Sequence, residues 1–262
     1  MGDRVFSEID ARGVATVWLN RPEVNNAYDG ALIDQLIETV GELERTPGLR
    51  ALVLRGKGRH FQAGADLTYL RRIIEAPPEE NERFSRATVE AMRALQHFSR
   101  PVVALVHGGC FGGGIGLVTS ADIVIAAQDA VFALTETLWG IVAAPIIPQL
   151  IHAIGLRHTR RIGITGERLD AATALRIGLV HEVCPPTTLE TVGARVVDQI
   201  LRAAPDAVRR HKALSLEIAD QLGGDALYGR LAELAASGRL TDEVREGLTA
   251  FAEKRKPSWY PG

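Results

Sequence analysis

The sequence predicts an α/β fold whose last third is helical, and three observations carry that reading. Short runs rich in Val, Ile and Leu recur through the first two thirds of the chain. Amphipathic stretches of helical period lie between them. From Thr187 onward only the helical period remains, almost to the end.

The elements follow in order. Arg4 to Ile9 and Val14 to Leu19 read as strands joined by a turn at Gly13. Asp29 is a candidate N-cap for a helix with Leu32, Ile33, Leu36, Ile37, Val40 and Leu43 on one face, and Pro47-Gly48 ends it. A buried-type strand, Leu49 to Leu54, leads into the loop Gly56-Lys57-Gly58-Arg59-His60. A short helix follows Gly64, and Pro77-Pro78 closes that segment. A helix over Glu82 to Phe98 precedes a strand at Val102 to Val106, and further strands are expected at Asp122 to Ala126 and Leu179 to Val183. Thr187-Thr188-Leu189-Glu190 has the spacing of a capping box, and Pro205 and Gly223-Gly224 punctuate the later helices.

No repeat or low-complexity tract divides the 262 residues, and no linker separates independent domains. A hydrophobic content of 46% and a net charge of −2 describe an ordinary globular chain, so neither a nucleic-acid nor a membrane partner is expected. Two cysteines, Cys110 and Cys184, make no disulfide framework. Met1-Gly2-Asp3-Arg4-Val5 has no apolar signal core, and the expected compartment is the cytoplasm.

Two features speak of chemistry. In Cys110-Phe111-Gly112-Gly113-Gly114-Ile115-Gly116 consecutive glycines leave backbone N–H groups unshielded beside a helix start, which suits a developing oxyanion or a phosphate. Glu136 lies in the otherwise apolar run Val131 to Trp139, where a carboxylate is costly without a partner or a task. A second small-residue loop, Phe61-Gln62-Ala63-Gly64-Ala65-Asp66-Leu67, repeats the first device, so two loops could aim two donors at one carbonyl oxygen.

These loops are joined by Leu19-Asn20-Arg21-Pro22-Glu23 with Asn26-Ala27, by Ala121-Asp122-Ile123, by Thr165-Gly166-Glu167 and by Ala174-Leu175-Arg176-Ile177-Gly178-Leu179-Val180. In this order and over nearly the whole chain, the set resembles the enoyl-CoA hydratase/isomerase (crotonase) superfamily. The resemblance implies a ClpP-like spiral of β-β-α units over residues 1–195, carrying the CoA and active sites. It also implies a helical region over 196–262 used for trimer contacts, in a homotrimer or a hexamer built as a dimer of trimers. The implied ligand is an acyl-CoA thioester, with no cofactor beyond the coenzyme A of the substrate and no metal.

By motif position, the N–H groups of Ala63 and Gly113 look like the oxyanion hole and Glu136 like the acid/base. Ala63, Gly64, Ala65, Asp66 and Leu67, with Arg21, Glu23 and Ala27, would line the CoA groove. Gly112, Gly113, Gly116 and Trp139 are further substrate-binding positions that the resemblance implies. Phe251 and Lys254 resemble positions that reach a neighbouring subunit's CoA, and an exposed basic tail explains Lys254 equally well.

The chain departs from the two-carboxylate hydratases of the family at Gly116, where those carry a first Glu. A single carboxylate still suits hydration, dehydration or double-bond isomerisation. A non-catalytic acyl-CoA- or RNA-binding member of the fold is the rival from another class. The glycine run, Thr135-Glu136-Thr137-Leu138-Trp139-Gly140-Ile141 and Lys254-Arg255-Lys256-Pro257-Ser258-Trp259 look most like hydratases of branched glutaconyl thioesters, of the methylglutaconyl-CoA and isohexenylglutaconyl-CoA kind. Dehydratases of hydroxymethylglutaryl thioesters are close relatives. The segment Ala143-Ala144-Pro145-Ile146-Ile147-Pro148-Gln149 departs from the usual Pro-Gly-x-Gly-Gly run and is expected to reshape the acyl pocket. Arg71, Arg72 or His97 are candidate partners for a second substrate carboxylate, although a solvated helix face accounts for the two arginines. Cys110 and His107 invite a nucleophile reading but lack a third orienting group, so both are expected to be structural.

Overall fold

The computed structural model describes residues 2–220 and 225–255. Strands β1 (Val5–Ile9) and β2 (Val14–Leu19) form an antiparallel hairpin. They are continued in parallel by β3 (Ala51–Gly56), β4 (Val102–Val106), β6 (Ile123–Ala127) and β9 (Glu182–Cys184), in the order β1-β2-β3-β4-β6-β9. A second, smaller sheet holds β5 (Gly109–Phe111), β7 (Val131–Ala133) and β8 (Leu169–Asp170), with Gln62 bridged to Cys110 at its edge.

The two sheets are threaded by a repeated path. β3 leads to Gln62 in the second sheet and then to α2 (Leu67–Glu75); β4 leads to β5 and then to α4 (Gly113–Thr119). β6 leads to β7 and then to a 3₁₀ turn over Glu136–Trp139. Each turn of the spiral thus leaves the second sheet at an equivalent corner. Parallel stacking of those corners brings the Ala63, Gly112 and Glu136 segments together although 73 positions separate the first from the last.

Helices cover the main sheet on both faces, as buried parallel strands require. On one side lie α1 (Gly30–Glu44), with Leu32, Ile33, Leu36, Val40 and Leu43 buried, and α3 (Pro78–Gln96). On the other, Leu189, Val196 and Val197 of α7 (Leu189–Arg202) pack on Val53, Val103, Leu105 and Ile125. Asp29 caps α1 as expected, its side chain accepting from Leu32 N at 3.0 Å. Asp122 accepts from the Val102 N–H and from Lys212 Nζ, both at 2.7 Å, and so buckles α8 (Pro205–Asp220) to the sheet. Helix α9 (Asp225–Gly238) lies on α3, and α10 (Asp242–Ala252) lies on the Glu136 turn.

Several expectations shift. The third strand runs two residues later than Leu49–Leu54, because its register follows β2 from Val14↔Ala51. Pro78 opens α3 as its first residue, a place where its missing N–H costs nothing, and so the helix starts well before Glu82. Leu179 and Val180 are buried in a turn, and the last strand spans only Glu182–Cys184. The capping box at 187–190 does not form: Thr188 Oγ1 donates back to Pro185 O, and Glu190 pairs with Arg55. Helices α5 (Ile147–Thr165) and α6 (Ala171–Arg176) were not anticipated, nor were the short strands of the second sheet. The 195/196 division falls within α7. The Gly223-Gly224 break and the run from Lys256 to Trp259 lie outside the described residues. No helix among the described residues is long and apolar enough to cross a membrane.

Candidate active site

A buried glutamine builds the first loop. Gln62 Oε1 accepts from Gly64 N at 2.7 Å while Nε2 donates to Gly64 O at 3.0 Å. Gly64 O also accepts from Tyr28 N, and Asp66 N donates to Tyr28 O, so the loop is held on both sides. Asp66 then caps α2 by accepting from Thr68 and Tyr69 N–H groups. The Phe111 N–H donates to Gln62 O, which ties the first loop to the second.

The second loop turns at Gly112, whose φ of +51° and ψ of −127° is a conformation that side chains rarely tolerate. A Cβ there would also stand 3.1 Å from Glu136 Oε1. Glycine is needed both for the turn and for the close approach of the carboxylate. Gly113 opens α4, packed against the Tyr28 ring and hydroxyl. Among the described residues, the N–H groups of Ala63 and Gly113 have no acceptor.

Glu136 begins the 3₁₀ turn after β7. Its Oε2 is buried with no hydrogen-bond partner. Burial pushes the carboxyl up to about 7, against the pull of a hydrogen bond to its own main chain. A carboxylate of that acidity can take up and give back a proton at neutral pH.

Ala63, Gly112 and Glu136 border a cavity of about 290 Å³. Of the residues expected there, Ala63, Gly64, Ala65, Leu67, Gly112, Glu136, Trp139 and Phe251 line it. Trp139 and Phe251 meet edge to face at 4.4 Å, closing α10 over the site. Ile141, Val142, Ala143 and Pro145 form an apolar wall, so the divergent segment does shape the pocket.

Arg21, Glu23, Ala27, Asp66, Gly113, Gly116 and Lys254 are not among the lining residues. The Arg21 guanidinium donates to Ala27 O at 2.6 Å and to Asp66 at 3.1 Å, holding the 21–27 segment to the first loop. Glu23 borders a separate surface hollow with Arg21, and Lys254 is exposed beyond the end of α10. Gly116 is buried in α4, and a Cβ on it would run into Ile146 Cγ2 and stand 3.1 Å from Met92 Sδ. The space a side chain at 116 would need is filled.

The anticipated cations are also elsewhere. Arg71 donates to Leu248 O, Arg72 pairs with Glu80, and His97 caps the C-terminal end of α3. His107 Nε2 lies 2.9 Å from Gly58 O, and Cys110 is fully buried, where desolvation pushes its thiol up. Neither is placed for nucleophilic work. Among the lining residues that sequence reasoning missed, Tyr28, Arg168 and Arg239 carry polar groups. Tyr28 directly follows the Asn26-Ala27 motif, which was a usable signal; nothing local marks the other two.

With this geometry in place, the comparisons are decisive. The family model described as enoyl-CoA hydratase/isomerase matches residues 10–261. The chain belongs to the enoyl-CoA hydratase/isomerase family. It is 34% identical to a Thermus thermophilus relative over 251 residues, covering 95% of this chain and 98% of that one. It is 30% identical over 258 residues to the mitochondrial Δ(3,5)-Δ(2,4)-dienoyl-CoA isomerase of Dictyostelium discoideum, covering 95% and 88%. An enoyl-CoA hydratase structure from Mycobacterium avium superposes with a TM-score of 0.86 at 33% identity, covering 99% of this chain and all of that one. The two-sheet spiral with its helical C-terminal part is therefore the crotonase fold, and the chain is an enzyme of a family acting on acyl-CoA thioesters.

Proposed function

We propose that the protein adds water across the double bond of a 2-enoyl-CoA to give a 3-hydroxyacyl-CoA, with Glu136 as the acid/base. The observation that carries this reading is the Glu136 carboxylate. It lines a largely apolar cavity, has one buried oxygen without a partner, and is poised near neutrality beside the Gly112 backbone.

In this mechanism the thioester carbonyl accepts hydrogen bonds from the Ala63 and Gly113 N–H groups, which are free to give them. Glu136 holds a water and takes its proton as the oxygen attacks the β-carbon. The electron pair of the double bond moves onto the carbonyl oxygen as an enolate, which those two donors stabilise. Glu136 then returns the proton to the α-carbon. Atoms and charge balance with water as the sole co-reactant, so the chemistry calls for no metal or redox partner. The reverse direction is a dehydration.

The finer resemblance supports a branched or carboxylated acyl chain of the methylglutaconyl kind, and a trimer or dimer of trimers as the working assembly. A second reading is enoyl-CoA isomerisation, favoured by the lone carboxylate and by isomerases among the relatives. One Glu can carry a proton between two carbons without any water. Absorbance of the conjugated thioester separates the two: it falls when a 2-enoyl-CoA is hydrated and rises when a 3-enoyl-CoA is isomerised. Absence of either change across a panel of enoyl-CoAs would overturn the enzymatic assignment of this site.

A further inference from the structure

The cavity wall contains a cation that the proposed chemistry does not use. Arg239 follows α9 and is only 6% exposed, yet it lines the same cavity as Glu136. Its Nη1 donates to Asn81 Oδ1 at 2.6 Å and to Ser85 Oγ, both neutral side chains of α3 that are themselves buried. The guanidinium also stands 5.0 Å from the centre of the Phe84 ring. Among the described residues no carboxylate pairs with it, and its Nε and Nη2 groups have no acceptor.

This is unusual company for a buried charge. Lys212, the other buried cation among the described residues, has its carboxylate in Asp122 at 2.7 Å. An arginine left without a counter-ion in an apolar wall bears a desolvation penalty that only an anion relieves well. Burial has already pulled the Arg239 guanidinium down to about 10. Around it the cavity offers Leu67, Leu70, Ala143 and Ala235, which suit a hydrocarbon chain. Tyr28 lines the same cavity: burial pushes its hydroxyl up, Glu136 raises it further and Arg239 lowers it.

We propose that Arg239 is a specificity-determining subsite that binds a terminal carboxylate on the acyl chain, held in place by Asn81 and Ser85. A planar guanidinium whose Nε–Nη2 edge is free matches a carboxylate in geometry as well as in charge. The inference rests on the reading of this cavity as an acyl-thioester site. It places the recognition of a second carboxylate on a residue about 170 positions beyond Arg71 and Arg72 in sequence, contributed by the C-terminal helices rather than by α2.

Binding, not turnover, tests it. Titration calorimetry on the wild type would compare saturated acyl-CoAs of graded chain length ending in a carboxylate with the methyl-terminated thioesters of the same length, alongside free CoA. The expected result is a preference of about 10- to 100-fold for one of the carboxylated thioesters. R239Q should abolish that preference while leaving the methyl-terminated thioesters and free CoA unchanged, and R239K should keep part of it. Equal affinity of the wild type for both series overturns the proposal, whether or not the variants fold. Loss of free CoA binding in R239Q also overturns it, because the guanidinium would then be serving a phosphate of CoA. A merely structural tie from α9 to α3 would lower the melting temperature and weaken every ligand alike. If no acyl-CoA binds at all, the acyl-thioester reading fails, and that result is distinct from equal binding.

Discussion

Ile146 occupies the space that a side chain at Gly116 would need: its Cβ lies 3.1 Å from where a Cβ on Gly116 would stand, and its Cγ2 is nearer still. The missing carboxylate and the unusual Ala143–Gln149 segment are thus one feature seen from two sides. An apolar side chain from the divergent segment fills the volume above the glycine, with Met92 on its flank. Glu136 is the one carboxylate among the described residues that line the cavity.

G116E should therefore fail to restore a second acid. The added chain must displace a β-branched neighbour in a closely packed core and bury a charge beside Ile146 and Met92. A stability loss of ~3 kcal/mol or more is expected in urea denaturation, with no gain in turnover. Adding I146G should recover a good part of that loss, since the two changes share one space.

Gly112 is predicted to be intolerant of any side chain. G112A forces a strained backbone and presses a methyl group toward Glu136 Oε1. Displacing the carboxylate by a fraction of an ångström should lower kcat by about 100-fold, measured in the thioester absorbance assay.

The raised Glu136 acidity has a consequence for stability. A folded value of about 7 against an ordinary 4.5 means that the native state holds this proton more tightly than the unfolded chain. Stability from this group therefore falls as pH rises from about 4.5 to about 7, and the cost is fully present above that. E136Q, which carries no charge, should be more stable than the wild type at pH 8.5 by ~1–3 kcal/mol, discounted for partial solvent screening. The difference should vanish at pH 4. Denaturant titrations at the two pH values check it.

The same acidity predicts the rate profile. Hydration needs Glu136 ionised to accept the proton of water, so kcat/KM should rise about tenfold per pH unit below about 7 and level above it. A profile flat from pH 5 to 9 would point to a different base.

Much of the site could be read from the chain, because its parts are local. The Asp29 cap, the Gly112 turn and the lone Glu136 in an apolar run each declare themselves within a few residues. The second sheet could not be read so well: β5 and β7 span three residues each and exist because successive turns of the spiral stack. Thr187 to Glu190 had the right spacing for a capping box, yet a proline-led 3₁₀ turn took Thr188 for its own hydrogen bond. Arg239 was invisible for a further reason. An arginine after a helix end looks solvated in sequence, and only the docking of α9 on α3 buries it in the cavity.

The central claim is that one carboxylate does the proton chemistry, and E136Q tests it most directly. The substitution keeps the shape and removes the base. The enoyl-CoA absorbance change should slow by about 10²- to 10⁴-fold while the affinity for a saturated acyl-CoA stays within a few-fold of wild type. Full turnover in E136Q would contradict the account and place the acid/base elsewhere in the cavity.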